Sequence, residues 1–416
     1  MNRGFLSGLD PTKGSRECGL YACRAEYVTK VDPGSAPRVS SGRMRRLGRF
    51  SLVAVVLSGA LLTTTLASAQ QGSFSTLITT PLAIEGLTTD GSSLYTTGRG
   101  ATGPCPVWQI NLGSPRLVVV GFIPNPCSPS GLVFNGSGQL FIVDGERVYS
   151  LTPSAASPPT ATVFASGVPG TNGIAFDRSG NAWTGDGTTG QGRVWRINTQ
   201  GSEVTEVLRV PPMAVETTVA GGIGRDVRAL PPGTVTVTPT SRNAADTAGS
   251  QPLVSNGLAF DRRGDMFIAD TARGALWRVE IDNRGSLRSR TGCDDAYAPN
   301  ALCFENIFVA HPLLEGVDGI VFDDAGNLWC SVNERNAIVV VTPGGRVIEV
   351  FRNPRDRTTG LRNTGPLEFP TSPVVIGRTI CTANSDGNRR DNFPNTAGET
   401  TPAGPASGKI SCATQR

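Results

Sequence analysis

The sequence predicts an all-β domain folded as a six-bladed β-propeller. Three observations predict it: a composition suited to short strands, one hairpin motif repeated along the chain, and the interval between its copies. The 416 residues include 51 glycines and 30 prolines, while only 17% are charged. That balance suits many strands joined by tight turns rather than long surface helices.

The motif is a small or polar residue, Gly, three mostly apolar residues, Asp, two residues, Gly, and then an alternating apolar run. Its clearest copies are TNGIAFDRSGNAWTGD from Thr171, SNGLAFDRRGDMFIAD from Ser255 and VDGIVFDDAGNLWCSV from Val317. PSGLVFNGSGQLFIVD from Pro129 has Asn135 in the Asp place, and IEGLTTDGSSLYTTG from Ile84 has a turn one residue shorter. A degenerate sixth copy starts at Pro370. Each copy reads as a hairpin: an apolar strand, a D-x-x-G turn whose Gly takes a positive φ, and a second strand. Third strands are expected at Arg193–Ile197 and Ala275–Val279, and fourth strands at Glu203–Val210 and Asn306–Ala310. Four strands per unit, recurring at roughly 40–85 residues, describe propeller blades better than a solenoid. The wide interval between the third and fourth copies leaves seven blades as a minority alternative. Its Pro-, Gly- and Thr-rich middle, about 211–252, lacks the motif and is read as an inserted loop.

The start of the chain is read separately. FSLVAVVLSGALL at 50–62 follows Arg43, Arg45, Arg46 and Arg49 and precedes Ala67-Ser68-Ala69, the pattern of a secretory signal over 44–69. The apolar core falls short of the ~20 residues that a membrane span needs. Met44 is the expected start, residues 1–43 a misassigned N-terminal extension, and 70–416 the propeller, periplasmic or secreted by a bacterium. Without residues 1–69 there remain 28 Lys/Arg and 30 Asp/Glu, a net charge of −2. No basic run then indicates nucleic acid, and no amphipathic stretch indicates a membrane. A monomer is expected.

Export makes disulfides the expected state of most of the remaining cysteines. By position the pairs are Cys105–Cys127, Cys293–Cys303 and Cys381–Cys412, with Cys330 left as a buried thiol inside Asn327-Leu328-Trp329-Cys330. None of the spacings is C-x-x-C, which speaks against a thiolate zinc site.

In a propeller the innermost strand of each blade directs its first residues at the central channel. The residues before the repeat Gly are Glu85, Ser130, Asn172, Asn256 and Asp318, with Thr371 at that place in the degenerate copy, and every side chain bears oxygen. Any single Asn-Gly or Asp-Gly is also a common turn dipeptide. Glu85 is not a favoured turn residue, and carboxylates and carboxamides converging on one axis need a cation between them. A hard divalent ion suits an all-oxygen set.

This order of EG, NG, NG and DG blades resembles the senescence marker protein/gluconolactonase family, which includes sugar-lactone hydrolases, over roughly residues 75–390. The resemblance implies Glu85, Asn256 and Asp318 as metal ligands and Asn172 as a contact to substrate or to a metal-bound water. It also implies one divalent metal ion, calcium first, with zinc, magnesium or manganese as alternatives. The chain departs from the regucalcin-like pattern in carrying Gly170 where an Arg stands two residues before the substrate Asn, and Val317 where P-D-G has Pro.

The expected activity is that of an exported metal-dependent lactonase or esterase acting on a small lactone or ester, with Asp318 as general base. The alternatives are a non-catalytic propeller with a structural metal and a phosphotriesterase-type hydrolase. The single histidine, His311, lies outside the channel position, so a Ser-His-Asp triad has little material. Turns between second and third strands carry Arg99, Arg273 and Arg335. Arg273, on the blade that supplies Asn256, is the expected anchor for an anionic substrate group. The 211–252 insertion is read as a lid over the site.

Overall fold

The computed structural model describes residues 73–188, 191–211, 255–293, 298–387, 390–392 and 407–414. The signal segment, the 1–43 extension and the 211–252 insertion, save residue 211, lie outside the described residues.

Residues from Phe74 onward form a six-bladed β-propeller of six four-stranded antiparallel sheets. Blades 1 to 5 occupy residues 87–123, 132–166, 171–209, 258–310 and 317–352, each with strands in chain order from inside to outside. Blade 6 (370–414) takes its three inner strands from the C-terminal part and its outermost strand, Ser75–Thr80, from before blade 1. That strand pairs with Gly408–Thr414 and so fastens the two ends of the ring together. The expected third strands fall at Arg193–Ile197 and Ala275–Val279, and the fourth strands at Val204–Arg209 and Ile307–Ala310.

The core is one apolar cluster per blade interface, a consequence of the two-residue period of a strand. In Met266–Asp270, Met266 and Ile268 pack with Trp183 and Leu208 of blade 3, while Phe267 and Ala269 pack with Ile320 and Leu328 of blade 5. Both faces of Met266–Asp270 and of Leu328–Val332 are buried, so apolar residues stand next to each other along these strands.

The recurring Asp closes the first hairpin of each unit. Asp177 Oδ1 accepts from the N–H groups of Ser179 and Asn181, both at 2.9 Å, and Asp261 and Asp323 do the same two and four residues on. Gly180, Gly264 and Gly326 hold the positive φ of the turn, between 82° and 95°. The second carboxylate oxygen of Asp177 and of Asp323 accepts from the indole N–H of Trp183 and of Trp329.

The other recurring glycine has a different cause. At Gly257 a Cβ would lie 2.5 Å from the Asp318 carbonyl oxygen, at Gly173 2.6 Å from that of Asn256, and at Gly86, Gly131 and Gly319 nearer still to the next blade. Innermost strands meet backbone to backbone: the Gly131 N–H donates to Asn172 O at 2.8 Å and the Gly257 N–H to Asp318 O at 3.1 Å. The ring closes where Thr371 Oγ1 donates to Glu85 O at 2.5 Å.

The three expected disulfides form, Cys105–Cys127, Cys293–Cys303 and Cys381–Cys412, and Cys330 is a buried thiol. Burial pushes the Cys330 thiol well above its ordinary range. It should resist alkylation in the folded protein and react after denaturation, as peptide mapping would read. Gly257→Ala should cost about 1–3 kcal/mol through overpacking. Gly136→Ala, which meets nothing within 4 Å, should stay within about 0.5 kcal/mol of wild type. Urea unfolding of both variants measures the difference, and equal stabilities would contradict the close-approach account.

Candidate axial site

The innermost strands surround a channel of about 440 Å³ lined by all six blades. Asn172, Asn256 and Asp318 each precede a glycine of its wall, and Glu85 stands two residues before Leu87 of the same wall. In blades 3, 5 and 6 the strand register shifts at the pre-glycine pair, between Thr171 and Ile174, Val317 and Ile320, and Pro370 and Pro373. Such a bulge removes the pre-glycine residue from the ladder and re-aims its side chain.

The six side chains at this place of the repeat, five before a glycine and Thr371 before Ser372, divide into two groups. The hydroxyl of Ser130 donates to the Thr171 and Asn172 carbonyls, and that of Thr371 to the Glu85 carbonyl, so both serve the ring itself. Glu85, Asn172, Asn256 and Asp318 are left for chemistry.

Asn256 is oriented by a chain of donors. Thr271 Oγ1 gives its proton to Val317 O at 2.7 Å, so its lone pair accepts from Asn256 Nδ2 at 3.1 Å. The second Nδ2 proton serves Asp318. Asn256 Oδ1 is then buried with no hydrogen-bond donor among the described residues, an arrangement that costs free energy unless a cation or donor meets it. Asp318 Oδ2 accepts from Asn333 Nδ2 at 2.9 Å. Thr271 and Asn333 each stand first after the second strand of their blade. In blade 3 that place is Gly187, whose missing side chain makes room for Asn172: a Cβ there would lie 2.7 Å from the Asn172 amide. Sequence reasoning passed over Thr271 and Asn333, although their shared position in the repeat was available as a signal.

Arg99, Arg273 and Arg335 have different partners. Arg273 Nη1 donates to Asp270 Oδ2 at 2.7 Å, and its guanidinium lies 5.6 Å from the ring centres of Trp277 and Phe304, so it is held on its own blade. Arg335 pairs with Glu349 at 3.0 Å. Arg99 is the arginine that reaches the axis: Nη1 pairs with Glu85 Oε2, and Nε and Nη2 approach Ser128 Oγ at 3.4 and 3.2 Å. His311 accepts the Leu313 N–H through Nδ1 and caps a short turn.

The residues fit a hard divalent cation. Asn256 offers an unsatisfied carbonyl oxygen, Asp318 a carboxylate with one oxygen held by Asn333, and Glu85 a second carboxylate, one oxygen of which meets Arg99. Burial pushes the Asp318 carboxyl up to about 7, against the opposing hydrogen bond from Asn333, the Arg99 charge and the Asn256 amide. A carboxyl raised in the folded state binds its proton more tightly there than in the unfolded chain. Stability from this group is therefore present below about pH 4 and lost progressively as pH rises to about 7. Between pH 4 and 8, metal-free wild type should lose more stability than Asp318→Asn, the difference bounded at about 4 kcal/mol. Urea unfolding across that range measures it, and parallel profiles would contradict it.

Residues 229–366 match the SMP-30/Gluconolactonase/LRE-like region, a stretch that contains Asn256 and Asp318. A comparison with curated proteins finds no significant match. Among solved structures, a luciferin-regenerating enzyme aligns with a TM-score of 0.52 at 13% identity, covering 82% of this chain and 95% of that one. Regucalcin from Agrobacterium tumefaciens strain C58, described as a calcium-binding protein, aligns with a TM-score of 0.51 at 17% identity, covering 83% and 95%. At these identities the likeness is one of fold. The chain is therefore a six-bladed propeller that carries an SMP-30/gluconolactonase/LRE-like region across its fourth and fifth blades.

Proposed function

We infer that the protein is a divalent-metal-dependent hydrolase of the lactonase or esterase type, acting on a small molecule at the axial end of the channel. The observation that carries this reading is the pairing of Asn256 and Asp318: a buried carbonyl oxygen without a donor beside a buried carboxylate whose pKa lies near neutrality. Glu85, Asn256 and Asp318 would hold the ion, with calcium as the first candidate. When bound, it supplies Lewis acidity at the substrate carbonyl.

The chain's own groups supply the rest. Asp318, in its deprotonated form, accepts the proton of the attacking water. Asn333 holds Oδ2 and so determines which oxygen faces the axis. Asn172, packed against Gly187 beside the ring, offers an amide to the substrate. The three disulfides agree with an oxidising compartment and so with export.

Asp318→Asn keeps the shape and removes one negative charge. It should lower divalent affinity by about tenfold or more and reduce hydrolysis by roughly 10²–10⁴. Asn172→Ala should spare metal binding and lower kcat/KM. Metal titration with a screen of aldonolactones, aliphatic lactones and organophosphates tests this reading and separates it from a phosphotriesterase. Turnover of no ester class by protein that binds metal would favour a structural metal instead. Unchanged metal affinity in folded Asp318→Asn would remove the axial centre altogether.

A further inference from the structure

We propose that Arg99 is a tethered cation that competes with a divalent ion for the charge of Glu85, so that the guanidinium lowers the affinity of the axis for the ion. The proposal rests on the axial metal reading given above.

Four observations carry it. The guanidinium is bound to Glu85 Oε2, the same group that would ligate an ion. Its Nε and Nη2 reach Ser128 Oγ, on the approach to blade 2, so the side chain extends from the first blade toward the second. The Arg99 N–H donates to Ala83 O at 2.8 Å, which pins the root of the side chain two residues from Glu85. Its charge also acts on Asp318 of blade 5 and on Asp144 of blade 2.

The arrangement is particular to Arg99. Arg193, Arg273 and Arg335 stand on the same face but pair with Asp186, Asp270 and Glu349 within their own blades. The side chains of Arg99 and Glu85 are only 31% and 15% exposed, so solvent screens their interaction weakly. A guanidinium held on Glu85 Oε2 and a divalent ion within a few ångströms repel each other strongly in a partly desolvated site. The folded chain thus carries an internal counter-ion for Glu85. A divalent ion must outcompete it, and the apparent affinity is lowered by whatever the guanidinium contributes.

Calcium titration of the mature protein by calorimetry tests this, with manganese binding followed by electron paramagnetic resonance as a second probe. Arg99→Gln should bind either ion at least about tenfold more tightly than wild type, because a neighbouring positive charge has gone. Arg99→Met, which keeps the apolar stem, gives the same comparison if the Gln variant fails to fold. Arg335→Gln, on the same face but away from Glu85, should match wild type. Equal or weaker binding by the Arg99 variants, with wild type binding normally, would overturn the competition and leave the axial centre standing. Binding by none of the proteins would overturn both readings, and binding by the Arg99 variants alone would support the competition most strongly.

Discussion

The contact on which the molecule depends is the approach of each repeat glycine to the backbone of the next blade. With no Cβ at Gly86, Gly131, Gly173, Gly257 and Gly319, the innermost strands come close enough for blade-to-blade backbone hydrogen bonds. In blade 6, which has Ser372 at the corresponding place, the Thr371 hydroxyl completes the circuit to Glu85. This close approach brings the residue before each glycine to the axis. The bulges in blades 3 and 5 then turn that residue out of its ladder. Shape and site have one cause, since the feature that lets six sheets converge also delivers six side chains to one end of the channel.

What those side chains become depends on their partners. Ser130 and Thr371 are small enough to spend their hydroxyls on the ring, and they stabilise it. Asp318 and Asn256 are held by groups from the turn after the second strand of their own blades, Asn333 and Thr271. Asn172 faces a glycine at that place, which leaves its amide uncommitted to a side-chain partner there. The site is therefore assembled from two positions of the repeat, one before the glycine and one after the second strand.

The parts legible in the sequence were those encoded locally. Hairpins follow from Asp, Gly and the two-residue alternation, and four of the six copies keep all three signals intact or with a single exchange. The disulfide pairs followed from strand position, because Cys381 and Cys412 lie opposite each other on adjacent strands, Cys293 and Cys303 flank one short loop, and Cys105 and Cys127 bracket the end of the first blade. The outermost strand of blade 6 was not legible. Ser75–Thr80 carries no motif and finds its partner more than 300 residues away. The directions of the arginines were not legible for a related reason. Motif position places Arg99, Arg273 and Arg335 on one face, but direction is decided by neighbours: Asp270, Trp277 and Phe304 hold Arg273 on its blade, while Glu85 and Ser128 draw Arg99 toward the axis.

On the proposed reading, the ring of glycines builds a cation site from Glu85, Asn256 and Asp318. The most direct measurement is an anomalous difference map from crystals of the mature protein soaked in manganese at neutral pH. The account predicts one peak on the propeller axis, within about 2.0–2.6 Å of oxygen atoms of these three residues. A map with no axial peak, or with its only peaks at surface carboxylates, would contradict it.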